Sequence, residues 1–463
     1  MAHSVTTAES ALPPLVPGPH RKRIGLISII ACFGGLLFGY DTGVSNGAER
    51  PMQAELGLSD LSLGVVISSL IFAAAVGALV GGQISDAFGR RKTIILLAVL
   101  FFVGTLFVVF SPGFGILVTG RILLGLAVGG ASTVVPVYLA ELAPYEIRGS
   151  ITGRNELAIV VGQLSAFVVN AIIGNVFGNV VGVWRIMFSI CALPAIALFF
   201  GMLRMPESPR WLVEKGRDDE ALAVLKTVRS EDRAIAEWEQ VERVVEEEHE
   251  EHWEGFSAIL RSKWLVRIIL VGIGISMTQQ LTGINSIMYY GQRVLIEAGF
   301  TADAALVANI ASGVVAVVGG IIALYNMDRL DRRKTFLIGL SLTTTCHVLI
   351  GFASMLLPVG NPLRPWIILI LVVAFVFSMQ TFLNIAVFFG WTMNGFLALF
   401  FPALVEAIDI NGVFFMFAAI GVVALLFVYT QVPETRGRSL EALEEDVETG
   451  EIFKGIRQGA HAH

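Results

Sequence analysis

Charge is what this sequence has least of. Of its 463 residues only 15% are Asp, Glu, Lys or Arg, while 55% are hydrophobic. Soluble domains carry about a quarter charged residues, so a soluble core could not hide this much apolar surface. Cysteine is scarce too. Cys32, Cys191 and Cys346 all sit in apolar blocks without metal-ligand spacing, which reads as packing rather than as a metal site or a disulfide framework. A phosphate-cradling loop, a metal ligand set and a nucleophile constellation are all missing, so no cofactor or metal is expected and the chain does not read as an enzyme. Gly34, Gly35, Gly125, Gly129 and Gly130 lie inside apolar blocks, where small residues let helices approach. The chain shows no secretory signal with a small-residue cleavage site. Residues 1–23 read as a cytosolic tail, polar and Pro-rich at first and ending in His20-Arg21-Lys22-Arg23.

What is present is a series of apolar blocks of about 20 residues, the length needed to cross a ~30 Å hydrocarbon layer as a helix. They fall near 24–47, 62–84, 93–110, 116–139, 156–178 and 184–203, and again near 265–289, 304–325, 335–357, within 366–405, and at 412–431. The implied class is an all-α membrane protein. Residues 24–203 form an N-terminal half, 204–264 a charge-rich helical linker, 265–432 a C-terminal half and 433–463 a tail. Within the linker, Glu237 to Glu251 reads as the solvated face of a cytosolic helix. Lys and Arg cluster in alternate loops: Arg21 to Arg23, Arg90 to Lys92, Arg148 and Arg154, the linker, Arg329 to Lys334, and Arg436 and Arg438. The other loops hold only Arg50, Arg293 and Arg364. The positive-inside rule then places both termini inside a cell membrane, which requires an even number of crossings.

The sequence also repeats. Asp86-Ala-Phe-Gly-Arg-Arg-Lys-Thr93 returns as Asp328-Arg-Leu-Asp-Arg-Arg-Lys-Thr335, and Pro206-Glu207-Ser208 returns as Pro433-Glu434-Thr435. Two halves built on the same punctuation are a transporter design, with the substrate site between them at mid-depth. The halves are unequal: 120 positions separate Asp86 from Pro206, and 105 separate Asp328 from Pro433. The first half has Glu141-Leu-Ala-Pro-Tyr-Glu-Ile-Arg-Gly149 at the inner end of its fourth span. Its counterpart is missing from the second, where no charged residue interrupts Trp366 to Leu404.

Asp41 lies about 17 residues into span 1, roughly 25 Å from the inner surface, and Arg121 in span 4 lies roughly 10 Å below the outer one. A carboxylate at depth costs several kcal/mol unless paired, protonated or wet. The depths fit a pair in which Asp41 takes a proton and releases Arg121; the alternative is an end-of-helix residue in water. Gln163 in span 5, then Gln279, Gln280, Asn285 and Tyr289 in span 7, are polar groups at depth. Amides donate and accept at once, which suits a ring of hydroxyls. Interhelical hydrogen bonding, worth about 0.6 kcal/mol each, is the alternative. Trp391 and Asn394 could close such a site from span 11. At the inner surface Asp86, Arg90, Arg91, Glu141, Arg148, Glu207, Arg332, Arg333 and Glu434 suggest a salt-bridge latch, beside the plain reading as topology charges.

These residues resemble the sugar porter family of the major facilitator superfamily, and within it bacterial proton–myo-inositol symporters. The strings that carry the resemblance are Gly39-Tyr40-Asp41-Thr42-Gly43, Asp86 to Arg91, Gly120-Arg121, Pro136 to Glu141, Arg148-Gly149, Pro206 to Arg210, Gln279-Gln280-Leu281-Thr282-Gly283-Ile284-Asn285 and Pro433 to Gly437. The resemblance implies a major facilitator fold with two six-helix halves, alternating access, a proton site at Asp41 partnered by Arg121, and sugar contacts at Gln163, Gln279, Gln280, Asn285 and Trp391. It covers about residues 21–445. Three departures stand out. Asp331 replaces the glycine of the second Gly-Arg-Arg, and Ala316 stands where many relatives have a sugar-binding asparagine. Near Asn384-Ile385 roughly 20 residues of the family pattern are missing, among them its span-10 tryptophan and the acidic–Pro–Arg-Gly loop that follows, in agreement with the shortfall in the repeat. Two short crossings with a tight turn near Asn384 to Gly390 keep Arg436 and Arg438 inside; one over-long helix does not.

The expected activity is uptake of a sugar or polyol (myo-inositol, or a hexose or pentose) with a proton. The expected partners are therefore the small-molecule substrate, the proton and the lipid bilayer, with no nucleic acid and a monomeric state. An uncoupled facilitator, a sugar sensor and a transport-impaired variant are the other readings. Asp41 argues against the facilitator, the short tail against the sensor, and the missing segment for impairment.

Overall fold

The computed structural model describes residues 13–14, 19–250, 263–326, 331–358, 360–382 and 388–433. Nearly everything described is helix. The N-terminal half runs α1 (Pro19–Ala31), α2 (Phe33–Leu56), α3 (Asp60–Phe88), α4 (Arg90–Val109), α5 (Phe114–Leu142), α6 (Arg148–Phe177), α7 (Val183–Ser189) and α8 (Ala192–Met202). The linker holds α9 (Pro209–Glu214), α10 (Asp218–Val228) and α11 (Glu231–Glu250). The C-terminal half runs α12 (Lys263–Leu281), α13 (Ile284–Ala298), α14 (Ala302–Asn326), α15 (Arg332–Leu356), α16 (Arg364–Phe382) and α17 (Phe388–Gln431).

Eleven stretches among the described residues are long and apolar enough to cross a membrane. The last, Thr392–Gln431, has 40 residues, or about 60 Å of helix, twice the hydrocarbon thickness. It breaks at Asp409, whose φ of 55° and ψ of 171° are not helical, so its length leaves room for two crossings. In the apolar run from Trp366 to Leu404 the chain forms α16, and α17 is already helical at Phe388; residues 383–387, where much of the expected turn falls, lie outside the described residues.

Local signals explain the boundaries. Ser59 caps α3 by accepting the amide of Ser62, with Asp60 in the first turn where the helix dipole favours an anion. Gly89 turns the chain from α3 into α4 at φ 99°, a conformation that Cβ-bearing residues rarely adopt. Between helices, small residues set the spacing. A Cβ on Gly39 would overlap the carbonyl of Ile159, and one on Gly129 that of Ala74, so α2 lies against α6, and α3 against α5, at backbone contact. The halves meet likewise: Gly64 of α3 lies under Leu399 of α17, and Phe72 packs edge-on to Phe396 at 5.1 Å.

Three expectations need correction. The first helix begins at Pro19 rather than after residue 23. Span 7 extends to Ala298, nine residues past the expected end at 289, because Arg293 finds carboxylates and Glu297 rides on the same helix end. In the linker Glu237 is not on a solvated face: its carboxylate, 13% exposed, holds Arg229 at 2.8 Å and Arg233 at 2.6 Å.

Candidate functional site

The centre of the site is a buried ion pair. The Nη1 of Arg121 on α5 donates to Asp41 Oδ1 at 2.8 Å and Oδ2 at 3.1 Å on α2, and neither side chain is more than 1% exposed. The Nε of Arg121 reaches the carbonyl of Val66 on α3 at 3.4 Å, and its guanidinium carbon lies 5.7 Å from the ring centre of Phe188. Its Nη2 has no partner. The fit of α2 against its neighbours comes from the Gly39, Gly43 and Gly47 ladder, one glycine per turn facing α6. The pair is held at full burial, where losing or gaining one charge has its largest effect.

Two of the polar side chains expected to contact a substrate, Gln163 and Tyr289, lie beside the same segment of α2. Gln163 on α6 lies beside Gly43, two residues past Asp41, and is 4% exposed with Oε1 unpartnered. Tyr289 on α13 is fully buried, with its hydroxyl beside Thr42. Across a break in span 7, Asn285 donates from Nδ2 to Gln280 Oε1 at 2.7 Å. Gly283 makes that break at φ 85°, so Gln279 and Gln280 on one side and Asn285 on the other come off different helix axes. Gln279 Oε1 is buried and unpartnered. Asn394 on α17 is 2% exposed and one turn before Ala398, whose carbonyl accepts the Tyr290 hydroxyl at 2.8 Å. Trp391 is helical, but its side chain lies outside the described residues. Unpartnered amide oxygens and a phenol are the groups a polyhydroxylated ligand satisfies.

At the end that carries the basic clusters, inner by the charge rule, Arg90 donates to both oxygens of Glu141 at 3.1 Å and lies 2.8 Å from Asp86. Glu207 Oε1 accepts the backbone amide of Arg91 at 2.9 Å, and the Arg91 guanidinium caps the carbonyls of Met202 and Leu203. Arg148 is exposed at the start of α6 and makes no ion pair among the described residues. Arg333 donates to the carbonyl of Tyr429 at 2.6 Å. The side chain of Arg332, and all of Glu434, lie outside the described residues.

The family model for "Sugar (and other) transporter" matches residues 27–383 and 380–447. This chain belongs to that family. The major myo-inositol transporter IolT of Bacillus subtilis (strain 168) is 45% identical over 452 residues, covering 93% of this chain and 95% of the relative. The xylose transporter XylE of E. coli, in a partially occluded inward-open conformation, superposes with a TM-score of 0.78 at 27% identity, over 90% of this chain and all of XylE. XylE bound to 6-bromo-6-deoxy-D-glucose, described as a major facilitator superfamily proton:xylose symporter, gives 0.76 at 28% identity, over 92% of this chain and 99% of XylE. The fold is therefore the major facilitator fold, and the chain is a multi-pass membrane transporter for sugars or polyols, not an enzyme.

Four residues of this region were not singled out from the sequence: Asn46, Glu49, Asp60 and Arg293. Asn46 donates to the carbonyls of Met288 at 2.8 Å and Ile287 at 3.3 Å, and accepts the amide of Gln292 at 2.9 Å. The one signal available was Arg293 itself, a rare basic residue among loops otherwise poor in Lys and Arg.

Proposed function

We propose that this carrier takes up a sugar or polyol together with a proton by alternating access, with Asp41 as the proton site and Arg121 as its partner. The observation that carries the reading is the Asp41–Arg121 pair, fully buried and beside the candidate substrate residues Gln163 and Tyr289. Protonating Asp41 neutralises it and leaves Arg121 a buried cation without its counter-ion, so the helices that hold them must rearrange. A substrate held by Gln163, Gln279, Gln280, Asn285, Tyr289, Trp391 and Asn394 would meet that event through Gln163 and Tyr289, which lie beside the α2 segment that carries Asp41. Transport then follows because proton and substrate bias the same equilibrium between outward-open and inward-open states. The names of IolT and XylE support myo-inositol and xylose as the first substrates to try. The charge rule supports a cell membrane with both termini cytoplasmic, and the protein acts as a monomer in this reading, with the Arg90, Arg91, Glu141, Glu207 and Arg333 set as the inner latch.

The test is uptake of labelled myo-inositol, glucose and xylose into cells lacking their own carriers, with and without a protonophore. Accumulation abolished by the protonophore supports symport. Uptake that equilibrates and ignores the protonophore supports a facilitator and overturns the role of Asp41. A second reading, reduced transport, is favoured by one observation: the family model matches in two pieces that meet at residues 380–383, where the repeat arithmetic also falls short.

A further inference from the structure

At the end opposite the basic clusters, polar groups of one half grip the other. Arg293 of α13 donates to both carboxylate oxygens of Asp60 on α3, at 3.0 and 3.2 Å. Asp60 also accepts from Gln53 of α2 at 2.9 Å. The Nη1 of the same Arg293 lies 3.6 Å from Glu49 of α2, whose side chain is 1% exposed and whose oxygens have no hydrogen-bond partner. One turn below, Asn46 takes two carbonyls and an amide of α13, the groups set free by the kink at Tyr290, where φ is −120° and ψ 17°. The inner end differs. There the Arg90 and Arg91 contacts stay within the N-terminal half and its linker, and Arg333 to Tyr429 stays within the C-terminal half.

We propose that Arg293 and Asn46 are positioning residues of transport: they latch the outer half of span 7 onto spans 1 and 2, shut the substrate path to the outside and hold this carrier at rest in its inward-open state. The proposal rests on the alternating-access reading above. Arg293 is decisive because it serves two carboxylates at once. Without it Glu49 is left buried beside Asp60, with only Arg50 on its own helix to offset it, and that cost falls on the closed state alone. Opening the outer face returns both carboxylates to water. A change that penalises one state only must shift the populations. Asn46 adds geometry to charge, since its three bonds can form only while the kinked segment lies against α2.

The experiment reads accessibility and needs no transport. In a full-length chain whose Cys32, Cys191 and Cys346 are replaced by serine, Met288→Cys places a thiol at a position 1% exposed, beneath the latch. Whole cells are treated with a membrane-impermeant maleimide and the labelling rate is measured. The parent reacts slowly. Arg293→Gln and Asp60→Asn each raise the rate about tenfold, within the usual range for coupling between sites, and Arg293→Lys falls back toward the parent. Arg185→Gln breaks the Arg185–Glu55 pair at the same end but within one half, and it leaves the rate unchanged. The proposal is overturned if Arg293→Gln and Asp60→Asn label no faster than the parent, or if Arg185→Gln accelerates as much. If Arg293→Gln fails to reach the membrane, Asp60→Asn decides alone, because it weakens the grip with Arg293 in place. Faster labelling in a chain whose uptake ignores a protonophore would keep the latch and discard the symport.

Discussion

At the scale of single residues, the energetics turn on charges placed where water is absent. Asp41 and Arg121 neutralise each other at full burial. Removing only one is costly, about 3–5 kcal/mol, because the survivor is an uncompensated buried charge. Arg121→Gln is therefore expected to lower the melting temperature of the purified carrier sharply. The double change Asp41→Asn with Arg121→Gln should recover most of that loss, and a double variant no better than the single one would show that the pair is not energetically coupled. Asp41→Asn alone should abolish protonophore-sensitive accumulation while leaving exchange of labelled for unlabelled substrate, since exchange needs no net proton movement. Much of this pair was legible in the sequence: counting 1.5 Å per residue from each span end placed both in the outer half. Asn46 was not, because its partner Met288 is 242 positions away and nothing in a lone asparagine says which backbone it will hold. Glu49 and Asp60 stand near span ends, where nothing in the sequence singles them out. Only their shared guanidinium, brought from the other half, distinguishes them.

Helices pack here by the absence of side chains, so the element scale is where glycine substitutions should separate. Gly39→Ala and Gly129→Ala push a methyl into the backbone of the facing helix and must separate α2 from α6, or α3 from α5. Both should cut the yield of monodisperse carrier in detergent by well over half, the outcome of overpacking worth about 1–3 kcal/mol or more. Gly82→Ala meets nothing within 4 Å and should be neutral or slightly stabilising, as a helical Gly-to-Ala change is by about 0.5–1 kcal/mol. Equal yields for all three would deny the close packing. Gly283→Ala belongs with the harmful pair for a different reason: its φ is 85° and the new methyl would lie 2.6 Å from the Phe417 ring. It should weaken substrate affinity more than yield, because the break orients Gln280 against Asn285. Apolar block length made most of these elements visible beforehand. The break at Gly283 and the kink at Tyr290 were invisible, since a discontinuous span has the same hydropathy as a straight one. The true end of span 7 was hidden by Arg293, which looks like a loop residue until its carboxylate partners on α2 and α3 are known.

The molecule as a whole is asymmetric, and its asymmetry can be tested directly. The N-terminal half closes its inner end with Glu141 against Arg90. The repeat gives the C-terminal half Arg332 and Arg333, while the spacing of 105 positions where the first half has 120 is the ground for expecting the segment with the matching acid to be absent. At the opposite end the halves are joined by Arg293, Asp60 and Asn46. A carrier with a firm outer closure and a weakened inner one spends more of its time open to the inside, and external substrate binds with an affinity reduced by the small outward-open fraction. Inserting about 15–20 residues at Asn384-Ile385, patterned on Pro136 to Gly149 so as to end in an acidic-Pro-Arg-Gly turn, restores the repeat arithmetic. Per molecule in the membrane, the restored chain should take up substrate at least about tenfold faster at low external concentration, with the gain in apparent affinity rather than in maximal rate. Arg293→Gln in the shortened chain should move apparent affinity the same way without any insertion, because it weakens the opposing closure instead of strengthening the missing one. If the shortened chain already accumulates substrate as fast as the restored one, the missing segment is no handicap, and the balance between the two ends is set elsewhere in the bundle.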